Sequence, residues 1–333
     1  MKLAVKKIML IFLFLLFVLL VLDIIVSNYL VSFALTQKNS NGKSVAPQSV
    51  TTSEADKITD ENIKLLAEQT EHWLQTVSVE KKEIQSDDGL CLKGDMIVSA
   101  PDSHLWVIIA HGYQAQKKYM YDYACFYAEK NFNILLPDMR SHGESEGTYI
   151  GMGWLDRKDM LGWISCILAQ DAQAEIILHG VSMGGATVMM TAGEELPQNV
   201  RAVIDDCGYT SVWDIFSDEL KYLYHLPEFP VLYTADRIAE IRAGYSFTEA
   251  SALEQIRKTK VPVMFIHGSA DSFVHTEMAY QLYDVCPTQK ELYICEGAGH
   301  ALSLYMNPEI YFQKLFAFLE SLPEKEMQNH AAG

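Results

Sequence analysis

The stretch Ile176-Ile177-Leu178-His179-Gly180-Val181-Ser182-Met183-Gly184-Gly185-Ala186 decides the fold. Its first four residues form a short apolar run of strand character, and Met183–Glu194 reads as a helix. The Gly180-x-Ser182-x-Gly184 turn between them fits a sharp strand-to-helix elbow. Such an elbow strains its serine and lifts the hydroxyl above the sheet, and only small flanking residues fit beside it. A lone G-x-S-x-G is a weak signal; its strand–turn–helix setting gives it weight.

The same alternation continues on both sides of the elbow. Val79–Ser86 and Leu90–Val98 read as strands joined by the hairpin signal Asp88-Gly89. Apolar strands follow at Leu105–Ala110, Phe132–Pro137, Val200–Asp205, Val263–His267 and Glu291–Cys295, with helical stretches between them. Short strands that are apolar throughout belong to a sheet covered on both faces. The expectation is a mostly parallel, doubly wound α/β sheet opened by a hairpin. Between Ser211 and Lys260 the alternation lapses into an aromatic-rich segment, which predicts a small helical cap. Its Trp213, Phe216 and Tyr245 are candidate substrate-pocket residues.

A serine hydroxyl needs a base to become a nucleophile. His300 lies in Glu296-Gly297-Ala298-Gly299-His300, after the last strand, and Asp271 lies in His267-Gly268-Ser269-Ala270-Asp271, after the strand before it. All three residues thus follow strand ends, where doubly wound folds place their sites. Asp205, at the end of its own strand, is the alternative acid. An oxyanion hole needs backbone N–H donors. Met183, next to the nucleophile, and Tyr113, in His111-Gly112-Tyr113, are the candidates. No metal or organic cofactor is implied. The scattered Cys91, Cys125, Cys166, Cys207, Cys286 and Cys295 have no finger spacing and read as free thiols.

His111-Gly112, Asp138-Met139-Arg140-Ser141-His142-Gly143-Glu144-Ser145, the Ser182 elbow, His267-Gly268-x-x-Asp271 and Gly299-His300 together resemble the α/β-hydrolase superfamily. Within it they are most similar to the serine aminopeptidase-like (S33-type) and monoacylglycerol lipase-like branch. The chain order Ser182, Asp271, His300 is that of the superfamily. The resemblance covers roughly 79–322. It implies a serine hydrolase acting on an ester or related acyl bond, with a peptidase as the alternative. A non-catalytic binding protein on the same scaffold is the reading from another class. His275 departs from the pattern, which often has Pro there.

Outside this domain the chain changes character. Lys2, Lys6 and Lys7 precede an apolar run from Ile8 that reaches Val26 and continues toward Phe33. This predicts a signal anchor over 1–36, spanning a membrane over about 8–30 with the catalytic domain outside the cytoplasm. The alternative is a signal cleaved at Ser32-Phe33-Ala34, giving a secreted protein. With Gly153-Trp154-Leu155-Asp156-Arg157 and Tyr209-Thr210-Ser211, the anchor is similar to exported, membrane-anchored hydrolases of Gram-positive bacteria. Residues 37–60 read as a polar linker, 61–78 as a helical pre-segment, 79–325 as the hydrolase domain with its cap at about 211–260, and 326–333 as a flexible tail. A net charge of -17 excludes a nucleic-acid partner, because phosphate binding needs clustered Lys and Arg. The partners implied are a small-molecule ester or acyl substrate and the membrane.

Overall fold

An eight-stranded sheet forms the centre of the protein, in the order β1-β2-β4-β3-β5-β6-β7-β8. The computed structural model describes residues 2–36 and 54–323. Strands β1 (Glu80–Gln85) and β2 (Cys91–Ile97) form the antiparallel hairpin turned at Asp88-Gly89, and β2 also runs antiparallel to β4 (Asn133–Pro137). From there the sheet is parallel through β3 (Leu105–Ala110), β5 (Glu175–Val181), β6 (Val200–Asp206), β7 (Val263–Gly268) and β8 (Lys290–Cys295). Its central strands are buried on both faces, which is why they carry unbroken apolar runs rather than alternation.

Two apolar layers cover the sheet. One contains Trp106, Ile108, Leu178 and Val203, and the other Val107, Ile109, Ile177 and Ile204. Alternate residues of the same strands therefore serve opposite layers. The helices that complete the layers are α1 (Lys2–Leu35), α2 (Glu54–Leu74), α3 (Tyr121–Ala128), α4 (Asp156–Gln170), α5 (Met183–Ala192), α6 (Val212–Tyr224), α7 (Val231–Ala243), α8 (Ala252–Ile256), α9 (Thr276–Val285), α10 (Ser303–Met306) and α11 (Pro308–Glu320).

Three boundaries differ from expectation. Helix α2 starts at Glu54, so it takes in the end of the expected linker; residues 37–53 of that linker and the expected tail at 326–333 lie outside the described residues. The expected cap over 211–260 divides: α6 and α7 stand over the sheet's carboxyl edge, while α8 packs on α5 and α9 as part of a covering layer. Ser211 and Ser251 cap α6 and α8 by accepting from the Asp214 and Glu254 N–H groups, and an isolated bridge pairs the two serines. The largest departure is at the amino terminus. The last turns of α1, expected as part of a membrane span, pack against α7, with Val31 and Leu35 fully buried in the core.

Candidate active site

The elbow forms because strand β5 and helix α5 meet at almost no separation. A Cβ on Gly180 would lie 2.0 Å from the Gly184 carbonyl oxygen, and one on Gly184 would lie 2.1 Å from the Ala110 carbonyl oxygen. Any larger residue would drive the helix off the sheet. Between them Ser182 takes φ 58° and ψ -117°, a conformation that costs an L-residue on the order of 1–3 kcal/mol. The backbone holds it there: the Ser182 N–H donates to the Asp206 carbonyl at 2.7 Å, and its own carbonyl accepts from Ala186 N–H at 3.0 Å.

The loops after β7 and β8 bring Asp271 and His300 to that hydroxyl. His300 Nε2 lies 2.8 Å from Ser182 Oγ, and His300 Nδ1 lies 2.7 Å from Asp271 Oδ2. With Asp271 ionised, Nδ1–H donates to the carboxylate and Nε2 is left to accept from the serine. Asp271 is itself fixed. Its Oδ1 accepts from the Phe273 and Val274 N–H groups, each at 2.9 Å, and its Oδ2 lies 3.2 Å from His267 Nε2. Burial alone would raise its pKa, but the hydrogen bonds and charge of His267 and His300 outweigh burial and hold the carboxyl well below the usual range. His267 responds in the opposite sense: burial pushes it down, and the Asp271 contact more than restores it, leaving it raised. The Phe273 ring, 5.0 Å from that of His300, screens one side of the imidazole.

Asp205 does not reach His300. Its Oδ1 accepts from Gly208 N–H at 3.0 Å, and burial pushes its pKa up to about 7. Its neighbour Asp206 accepts from Tyr311 OH at 2.8 Å and is raised to about 6, also by burial. Both support the floor beneath the site. Cys207, Asp271 and His300 have potential ligand atoms within 4.8 Å of one another. Both His300 nitrogens are already engaged, however, and burial holds the Cys207 thiol well above its ordinary value. The two bonds of His300, to Ser182 and to Asp271, are those of a proton relay.

Gly112 abuts the serine; a Cβ there would lie 3.3 Å from Ser182 Cβ. This brings the adjoining Tyr113 backbone to the elbow. Met183 opens α5, where the first N–H groups have no intrahelical acceptor. The next residue, Gln114, donates its N–H to His142 Nε2 at 3.0 Å, and His111 Nε2 accepts from Met139 N–H at 3.0 Å. His111 and His142 are thus braces of the loop.

Above Ser182 and His300 lies a cavity of about 320 Å³. Phe216, Leu220 and Leu232 line it from the cap, with Glu219 among them. Of the three expected pocket aromatics, only Phe216 lines it. Trp213 packs edge-on against Tyr233, with ring centroids 4.9 Å apart. Tyr245 is fully buried, with its hydroxyl donating to the Ile150 carbonyl at 2.9 Å. Trp213 thus joins the two cap helices to each other, and Tyr245 joins the cap segment to the domain. Residues missed by sequence reasoning include Phe273, and above all Leu30, Val31, Phe33 and Ala34 of α1, which form a further wall. The one signal for the last group is that the apolar run goes on well past the length a bilayer requires.

Strand order, the strained serine elbow and the loops carrying Asp271 and His300 define an α/β-hydrolase fold. The prolyl oligopeptidase family model matches residues 123–325, and the chain belongs to that family. The match names this family and not the S33-type or monoacylglycerol lipase-like branch expected from the motifs. The uncharacterized protein YqkD of Bacillus subtilis is 30% identical over 240 residues, covering 72% of this chain and 78% of its own. Among solved structures, the Pyrococcus furiosus esterase Pf2001 matches with TM-score 0.61 at 22% identity, over 74% of this chain and 93% of its own. The acylaminoacyl peptidase of Pyrococcus horikoshii matches with TM-score 0.55 at 17% identity, over 72% of this chain and 41% of its own.

Proposed function

We propose that the chain is a serine hydrolase that cleaves a carboxylic ester, or a related acyl bond, through an acyl-enzyme. The observation that carries this reading is the continuous Ser182–His300–Asp271 hydrogen-bond relay at the floor of an apolar cavity. Ser182 Oγ bonds to the acyl carbon while its proton passes to His300 Nε2. His300 then returns the proton to the leaving alcohol, whose bond to the acyl carbon breaks. Water repeats the sequence and releases the acid. Asp271, ionised throughout, orients the imidazole and stabilises the imidazolium. The Tyr113 and Met183 N–H groups receive the developing oxyanion. The similarity to a solved esterase supports an acyl ester as the substrate class.

A peptidase is the second reading, and Glu219 favours it. This carboxylate lines the cavity, and burial, with the neighbouring Asp218, raises its pKa. It is suitably placed to meet an amino group of a substrate. Fluorophosphonate labelling tests the common mechanism: failure of Ser182 to label leaves a non-catalytic binding protein. Comparing p-nitrophenyl esters with aminoacyl anilides separates the two enzymes, and faster anilide cleavage would overturn the esterase reading. For location, we propose that α1 is retained as a single-pass anchor with the hydrolase domain, about 79–323, outside the cytoplasm. The Lys6 and Lys7 flank supports that orientation. Degradation of the domain by protease added to wall-stripped cells would agree with it, and full protection would refute it.

A further inference from the structure

Helix α1 changes its surroundings along its length. From Ile8, past the Lys6-Lys7 flank, to Val26 nearly every side chain is exposed, and the most apolar 18-residue window of the helix has a mean hydropathy of 3.3. At about 1.5 Å per residue this exposed part measures about 30 Å, the thickness of a bilayer's hydrocarbon core. From Asp23 on, one face of the same unbroken helix is bound to the cap. Asp23 Oδ2 accepts from Thr234 Oγ1 at 2.5 Å, Ser27 Oγ donates to the Val231 carbonyl at 3.0 Å, and the Arg242 guanidinium donates to Asn28 Oδ1 at 2.7 Å. The domain joins in: Tyr113 OH donates to the Ala34 carbonyl at 2.8 Å, and Ile150 N–H to the Leu35 carbonyl at 2.7 Å.

These bound turns close the cavity over Ser182 with Leu30, Val31, Phe33 and Ala34. Leu30 lies about 6 Å along the axis from the end of the exposed stretch, at the headgroup boundary. The cavity's outer lining includes Leu223 and Tyr224, which are 50% and 41% exposed. On α7, the helix that packs against α1, Phe229's neighbour Tyr233 is exposed as well. An exposed apolar and aromatic rim beside a spanning helix matches a membrane interface better than bulk water.

We infer that α1 is a wall of the acyl pocket as well as an anchor, and that the pocket mouth faces the bilayer. The substrate is then a membrane-resident ester with a long apolar acyl chain. The chain enters from the lipid along α1 and brings its carbonyl carbon to Ser182. This rests on the hydrolase reading above and names the substrate class. Cleavage at Ser32-Phe33-Ala34 would cut through the wall itself, so the working enzyme keeps its helix.

The test uses the full chain in phosphatidylcholine nanodiscs and an alkyl fluorophosphonate with a diazirine at the end of a long chain. Ser182 Oγ bonds to phosphorus, fluoride leaves, and the serine proton passes to His300. Photolysis should then crosslink the chain to peptides containing Leu30–Ala34 and Phe216–Tyr224. Label on Ser182 with crosslinks confined to the loops after Gly112 and Gly143 would overturn the inference. No label on Ser182 would overturn the hydrolase reading, and this inference would fall with it. A second readout is the ratio of kcat/KM for p-nitrophenyl dodecanoate to that for the acetate. Leu30→Trp should lower the ratio at least tenfold, whereas Leu16→Trp, in the lipid-facing stretch, should leave it unchanged. Equal ratios in the two variants, with Ser182 still labelled, would equally refute the pocket wall.

Discussion

Removing residues 1–36 should destabilise the hydrolase domain severely, although the cut leaves the elbow and its partners untouched. Val31 and Leu35 are 1% and 0% exposed, and fully burying such a side chain is worth about 1.5–3 kcal/mol. Several hydrogen bonds would also go, among them Ser27 to the Val231 carbonyl, Tyr113 to the Ala34 carbonyl, and Ile150 to the Leu35 carbonyl. Each contributes about 1 kcal/mol, and the groups left behind lose their partners. The total is on the order of 5–10 kcal/mol, comparable with the whole stability of a domain, about 5–15 kcal/mol. For a domain of this size each kcal/mol moves the melting temperature by about 2–4 °C, so a loss of more than about 10 °C is expected. The assay is thermal unfolding of the full chain in detergent against residues 37–333 in the same detergent. Truncation should also expose Phe216, Leu220 and Leu232, which line the cavity opposite α1, and favour aggregation. A truncated domain that melts within about 3 °C of the full chain would refute the claim that α1 is part of the fold.

Ser182→Ala should abolish ester turnover while changing stability by less than about 1 kcal/mol, because it removes one hydroxyl that faces the cavity; a loss of activity under tenfold would mean that another nucleophile acts. Asp271→Asn should give a stability deficit that depends on pH in two directions. The depressed Asp271 contributes above its ordinary value of about 3.9 and loses that contribution as pH falls, while the raised His267 contributes below about 6.5 and loses it as pH rises through its elevated value. The difference in urea midpoint between variant and wild type should therefore be greatest between roughly pH 4 and 6.5, and a difference that fails to shrink both below and above that range would contradict the pairing. Glu219→Gln removes a carboxylate from an otherwise apolar wall, so KM for medium-chain esters should fall a few-fold, and a selective loss of aminoacyl anilide cleavage instead would favour the peptidase.

Sequence alone determined the sheet, its opening hairpin and the elbow, because each rests on local rules. Short apolar runs specify strands buried on both faces, Asp88-Gly89 specifies a turn, and glycines are required where β5 and α5 touch. Asp271 and His300 were legible as candidates, since each closes a glycine-containing loop at a strand end. Asp271 was preferred to Asp205 as His300's partner from the His267-Gly268 motif before it, but the contact itself belongs to three dimensions. Both lie at the same edge of one sheet, and only the loop paths put one of them 2.7 Å from the imidazole. The cap was legible as a segment but its surfaces were not: Trp213, Phe216 and Tyr245 are alike in composition, yet only Phe216 lines the cavity. The role of α1 was the least legible. Its residues from Leu30 to Ala34 look like the end of a membrane span, because hydropathy records how apolar a side chain is and not what it packs against. Contacts between residues some 150 to 200 positions apart, such as Ser27 with Val231 and Ser182 with the wall at Val31, arise only when the chain has folded; no local pattern encodes them.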